Sequence, residues 1–127
     1  MKKKIIVEIA EGLGNQFFMY AHAYSMSKKL NYELFIDNKS GYSLKKNIIR
    51  NHQNYILSSF NIKENYAPNE FKFDNTFKKI KKKFLIFLDK FSEKKIFFNE
   101  KVIYKNNSKI VQNYTDIVEN SFSNNVY

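Results

Sequence analysis

The apolar positions along the chain fall into distinct patterns, and the first is the most informative. Ile5, Ile6, Val7 and Ile9 make a β-branched run without clean alternation, as expected of a strand covered on both faces in a parallel sheet. The run ends at a turn, Ala10 to Gly14, which holds two of the chain's three glycines. From Asn15 to Leu30, the residues Phe17, Phe18, Tyr20, Ala21, Tyr24 and Leu30 recur at mostly helical spacing. Lys28 and Lys29 then complement the dipole in the last turn. This predicts an amphipathic helix with those apolar residues turned to the core. Asn31 suits a carboxyl-terminal cap, and Tyr32 to Asp37 reads as a second strand. The order strand, turn, helix, strand predicts an α/β fold.

Beyond Asp37 the pattern weakens. Asn38 to Gly41 has turn chemistry, and Tyr55, Ile56, Leu57, Phe60 and Ile62 form a short apolar segment that fits a helix or a strand equally. Pro68 stops whatever precedes it. Between Lys78 and Phe91, Ile80, Phe84, Phe87, Leu88 and Phe91 share one helical face, while Lys78, Lys79, Lys81, Lys82 and Lys83 crowd the amino-terminal half. A basic amphipathic helix at 78–91 follows, either docked on the core or lying on an anionic membrane or partner. Ile96 to Tyr104 is a further strand candidate. The polar stretch 106–127 has neither glycine nor proline, and no element is assigned to it.

Length and charge narrow the reading. A chain of 127 residues forms one domain, since a domain of this size buries roughly two thirds of its unfolded surface. The net charge of +10 and pI of 9.6 invite an anionic partner. Yet the positive charge is almost wholly lysine, Arg50 being the single arginine, and lysine lacks the bidentate fork that nucleic-acid recognition favours; a nucleic-acid partner is not expected. Without cysteine there are no disulfides, thiolate nucleophiles or cysteine zinc sites, which suits a reducing cytoplasm. The apolar stretch after Met1 to Lys4 is interrupted by Glu8 and too short for a signal peptide, and the run Phe84 to Leu88 is far below the ~20 residues that cross a bilayer. No metal site is expected from two histidines.

Chemistry concentrates at Gly12-Leu13-Gly14-Asn15-Gln16, between the first strand and the first helix. Glycines there let a phosphate approach the backbone amides at the helix start, although any strand-to-helix turn can need glycine for its dihedrals. A dinucleotide fingerprint is a rival: Gly12 and Gly14 match its first two glycines and Asp37 lies about 23 residues beyond Gly14, but Phe17 stands where the third, small residue is required. His22 and His52 are candidate bases only by residue type. Asp37 is either a site residue at a strand end or a cap on the next turn.

The segment Gly12-Leu13-Gly14-Asn15-Gln16, with Phe18, Tyr20, Ala21, Lys29-Leu30-Asn31, Glu33-Leu34 and Asp37, resembles the opening of glycosyltransferase family 11, the α-1,2-fucosyltransferases. Tyr55, Leu57 and Phe60-Asn61-Ile62 resemble a second block of that family. The resemblance covers residues 4 to 62, and 63–127 corresponds to a region that varies within the family. Departures are Glu11 in place of a further glycine, Phe17 for methionine and Met19 for glutamine.

The resemblance implies the Rossmann-like amino-terminal domain of a two-domain GT-B glycosyltransferase, incomplete as it stands. It implies a metal-independent, inverting transfer of fucose from GDP-fucose to a galactose-containing glycan, with no further cofactor. Gly12, Gly14, Asn15 and Gln16 would line the cleft, and Phe18, Tyr20 and Ala21 fit the core. The family's His-x-Arg-x-x-Asp motif is absent, because Arg50 follows no histidine at that spacing. This predicts either a truncated chain that lacks its donor-binding half or the first half of a split enzyme whose donor-binding half is a separate polypeptide. The rival expectation is a non-catalytic, basic module held at the inner membrane face by the helix at 78–91.

Overall fold

The computed structural model of the protein describes residues 3–43, 54–63, 65–94, 96–97, 102–105, 108–111 and 125–127. It is a small α/β fold in which β1 (Lys4–Glu8) pairs in parallel with β2 (Glu33–Asp37), from Lys4 opposite Glu33 to Glu8 opposite Asp37. The two-residue β5 (Asn125–Val126) pairs in parallel with the other edge of β1, opposite Lys4 and Ile5, so the sheet order is β2-β1-β5. A central position explains the unbroken apolar run of β1. Ile5 packs with Ala23, Met26 and Leu30, Ile9 packs with Ile36 and Leu57, and Ile6 is equally buried.

The connecting helix α1 (Leu13–Leu30) ends as its sequence requires. Asn31 takes the left-handed conformation with φ 54°, and the N–H of Tyr32 donates to the Ser27 carbonyl at 2.9 Å, satisfying an otherwise orphan acceptor. Its buried stripe differs from the predicted one. Gln16, Ala23, Met26, Ser27 and Leu30 face the sheet, whereas Phe18 is 62% exposed and Ala21 and Tyr24 are also exposed. The stripe follows steps of three and four residues from Gln16, and its slim or flexible side chains let α1 lie close to β1; the wide rings are left at the margins. Burying Met26 and Leu30 stabilises the fold by ~1.5–3 kcal/mol each.

Several later segments settle what the sequence left open. The apolar segment around Leu57 is a single 3-10 turn, Leu57–Ser59, whose Leu57 is fully buried, and a second 3-10 turn follows Pro68 at Asn69–Phe71. Tyr66 then forms a parallel bridge to Ile36. The basic helix α2 spans Thr76–Asp89, its first turn capped by the Asn75 side chain, which accepts from the Lys78 N–H at 2.9 Å. Within the strand candidate at 96–104, the structure has β3 (Val102–Lys105), paired antiparallel with β4 (Ser108–Val111); 98–101 lie outside the described residues. Thus the stretch left unassigned from sequence supplies both β4 and β5.

On the sheet face away from α1, Phe73, Phe97 and Tyr127 stack on one another, Tyr127 lying 5.3 Å from each of the other two ring centroids. Burial, with the charges of Asp37 and Glu70 adding to it, pushes the Tyr127 hydroxyl up to about 12 from its usual 10.0. The folded chain therefore favours the neutral phenol. That contribution is complete below pH 10 and is lost as the pH rises from 10 towards 12. Urea unfolding across this range is expected to show a decline that Tyr127→Phe makes shallower.

Candidate functional site at the first strand-to-helix turn

Four residues, 9–12, separate β1 from α1, and the reversal concentrates its cost at one of them. Glu11 adopts φ 65°, in the left-handed region that disfavours any residue with a Cβ by ~1–2 kcal/mol. Gly12 sits at φ −76° in extended conformation, and no glycine has positive φ among the described residues. The two turn glycines therefore do not serve the dihedrals; the residue that needs glycine freedom is a glutamate.

The strained residue is held by its own carbonyl. The Gln16 side chain donates Nε2–H to the Glu11 carbonyl at 2.9 Å, and the Tyr42 hydroxyl donates to the same oxygen at 3.2 Å. Burial raises the Tyr42 hydroxyl above its ordinary ionisation range, the Gln16 amide opposing and the Glu11 charge adding, so the phenol keeps the proton it donates. Such over-determination is what allows a sparsely populated backbone to persist.

Gln16 does more than clamp the turn. It is fully buried, donates a second hydrogen bond to the Asn54 carbonyl at 2.8 Å and accepts from the Ile56 N–H at 2.9 Å. Its amide is thus consumed in joining the turn to the segment at 54–56, and it supports the site from below. Gly14 and Asn15, by contrast, are exposed. A Cβ placed on Gly14 would meet nothing within 4 Å, so the open space above it is not required by packing within the chain. Leu13, Phe17, Phe18, Ile56 and Phe60 are exposed near this face, with Phe17 and Phe60 edge-to-face at 4.8 Å.

No side chain caps α1. The Gln16 N–H already donates to the Gly12 carbonyl at 3.0 Å, which leaves the amides of Leu13, Gly14 and Asn15 as the helix's unpaired donors, at the positive end of its dipole. The nearby anion is the protein's own. Glu11 Oε2 accepts from Asn15 Nδ2 at 2.8 Å, so the carboxylate occupies the side chain best placed to meet a ligand phosphate.

Asp37 resolves towards the capping role. It is 1% exposed; Oδ1 accepts from the backbone N–H groups of Lys39 and Ser40 at 3.0 Å each, and Oδ2 accepts from the Ser40 hydroxyl. Ser40 Oγ in turn accepts from the Phe73 N–H at 2.6 Å. Gly41 in the same turn is a steric requirement, since a Cβ there would stand 2.2 Å from the Ile9 carbonyl oxygen. His22 is half-buried on α1, while Arg50 and His52 lie outside the described residues.

Among the described residues no group of three metal-ligating side chains comes together, and no helix is long and apolar enough to cross a membrane. A groove of about 480 Å³ lies further along α1, between Tyr20, Tyr24 and Lys28 on the helix and Leu34, Lys63 and Asn65 opposite. The roles of Tyr42 and of the 54–56 backbone had no local signal in the sequence, because both reach the turn across more than 30 positions. Comparison with known protein families, characterised proteins and solved structures finds no match for the chain.

Two substitutions separate the clamp from the open face. Gln16→Ala strands the Asn54 carbonyl and the Ile56 N–H, leaves the Glu11 carbonyl to Tyr42 alone and opens a cavity, so chemical denaturation is expected to show a loss of ~2–4 kcal/mol. Gly14→Ala removes a glycine from a first helical turn with room for the methyl group and is expected to stabilise the chain by ~0.5–1 kcal/mol.

Proposed function

We propose that this chain is the Rossmann-like, acceptor-side domain of an α-1,2-fucosyltransferase, with the cleft at Gly12 to Gln16. The observation that carries the reading is the backbone at Glu11. The resemblance to the family rests on a glycine-rich turn with one more glycine at this position, and position 11 is where the chain enters the left-handed region at φ 65°. A glycine there relieves strain, so the family's composition and this chain's geometry agree at one of the three residues named as departures from the family.

The remaining support is the division of labour within the matching residues. Gln16, Leu30, Asp37 and Leu57 are buried and build the turn and its supports, whereas Gly14, Asn15, Phe18 and Ala21 are exposed. Steps of four and three residues put Gly14, Phe18 and Ala21 on one outward face of α1, available to a ligand or to a second domain closing over it.

In the proposed reaction the 2-hydroxyl of an acceptor galactose attacks C1 of the fucosyl group. The C1–O bond to the pyrophosphate breaks with inversion, GDP leaves, and the hydroxyl proton passes to a base that no residue here is assigned to be. The contribution of this domain is positional and electrostatic. The amides at the start of α1 would face the sugar and its leaving phosphate, Asn15 Nδ2 would join them once the phosphate displaces the Glu11 carboxylate, and the wall at Gly14 stays low. Pairing of an arginine with the pyrophosphate belongs to a donor-binding half, since the arginine motif does not occur in these 127 residues.

Saturation-transfer NMR of the chain with GDP-fucose and with a β-galactoside disaccharide tests the reading. Transfer from at least one ligand is expected, with Asn15→Ala weakening it roughly tenfold or more. A folded chain that shows transfer from neither ligand overturns the proposal. Glu11→Gly removes both the strain and the resident anion; it is expected to stabilise the fold by ~0.5–1 kcal/mol in denaturation and to tighten GDP-fucose binding.

A further inference from the structure

Helix α2 is mounted with its apolar face outward. Phe77, Ile80, Phe84, Phe87, Leu88 and Phe91 are 46–78% exposed, and at about 100° per residue they occupy one sector roughly 100° wide. The side that meets the protein is mixed: Leu85 and Ile86 are half-buried on it, beside charged residues that make specific bonds. Lys78 Nζ bonds Asp74 at 3.1 Å and the Asn69 carbonyl at 2.9 Å, and Lys82 pairs with Glu8 while lying 5.4 Å above the Phe73 ring. Burial also lowers the basicity of Lys79. At the far end, Asp89 accepts from the N–H groups of Ile96 at 2.6 Å and Phe97 at 3.2 Å. Asp89 is the one residue of the helix that is fully buried.

These attachments fix the orientation of the helix. Rotating it to bury the phenylalanines would break the Lys82–Glu8 pair and strand the Asp89 carboxylate. Among the described residues nothing packs over the exposed face, and it forms a continuous apolar strip of the kind that marks an interaction surface.

We propose that α2 docks in the plane of an anionic phospholipid bilayer. Charge selects this occupant. Exposed Lys81 borders the apolar sector on one side and exposed Lys83 and Lys90 border it on the other, at the level of phosphate headgroups when the rings sit among the upper acyl chains. The helix has no exposed carboxylate, as its single acidic residue is Asp89. A second copy would bring the same lysine borders together in a protein of net charge +10, so self-association across this face is opposed by like charge. Four phenylalanines with lysine flanks are the composition of an interfacial helix.

Vesicle flotation of the full chain tests the proposal without reference to any sugar ligand. The chain is expected to float with equimolar phosphatidylcholine–phosphatidylglycerol vesicles, to stay down with phosphatidylcholine alone, and to release as salt is raised. Replacing Lys81, Lys83 and Lys90 together by Gln is expected to weaken binding about 100-fold, roughly fivefold per lysine. Phe84→Ser with Phe87→Ser, both at exposed positions, is expected to abolish it with the circular dichroism unchanged. With no tryptophan in the chain, Phe84→Trp supplies a reporter whose emission moves to the blue on binding. Absence of flotation with anionic vesicles, or flotation that survives the double serine change, overturns the proposal. So does a dimer in ultracentrifugation that the same change dissociates, which assigns the face to a second copy.

Discussion

The left-handed backbone at Glu11 is the constraint around which the described core is organised. With so few residues between β1 and α1, the chain must reverse sharply, and one residue takes the strained conformation. Its carbonyl is then held from two directions. Gln16 reaches it from within α1 and, with the rest of its amide, fixes Asn54 and Ile56. Tyr42 reaches it from the turn after β2, which is itself closed on the Asp37 carboxylate. Ser40 extends that connection to Phe73 on the far side of the sheet. A conformational cost of one or two kcal/mol at one residue is thereby shared by segments distant in sequence, and loosening any of them releases the others.

The sequence made β1, α1 and β2 legible because each carries a local signal: a β-branched run, helical spacing closed by Asn31, and a short apolar segment, Leu34 to Ile36, between that cap and the turn at Asn38. What it misjudged was which side of α1 faces inward. Apolar spacing alone favoured Phe17, Phe18 and Tyr24, but the helix lies so close to β1 that only Ala23, Met26, Ser27 and Leu30 fit beneath it, with Gln16 admitted because every polar atom it buries finds a backbone partner. Size complementarity is a property of the pair of surfaces, and neither surface records it alone. β5 was invisible for a different reason: two residues pairing with Lys4 and Ile5 leave no periodicity to detect.

At the candidate site, the glycine motif was legible as a place and misleading as a mechanism. Reading Gly12 and Gly14 as turn makers assigns them the dihedral burden that Glu11 carries. Gly14 instead contributes absence, a stretch of helix with no side chain where its neighbours on the same face are exposed. Helix stability argues against glycine there, and no contact among the described residues argues for it, which is what the proposed approach of a ligand to this turn would use. Asp37 went the other way: a carboxylate at a strand end, where ligands gather in α/β folds, is spent on the backbone of the next turn and on the Ser40 hydroxyl.

Helix α2 inverts the usual use of an amphipathic sequence, and the inversion follows from what surrounds it. Glu8 ends β1 on the face where α2 lies, and a half-exposed carboxylate there is better matched by Lys82 than by a phenylalanine. Once lysine takes the inner position, helical geometry sends Phe84, Phe87 and Phe91 outward. The same pair also locates the helix, because Glu8 immediately precedes the turn at 9–12. The Lys82–Glu8 pair lies on the inner side of α2 and the proposed bilayer contact on its outer side, so one helix width separates the end of β1 from the surface that the phenylalanines would meet; under the two proposals above, acceptor glycans carried at that surface would be searched in two dimensions instead of three.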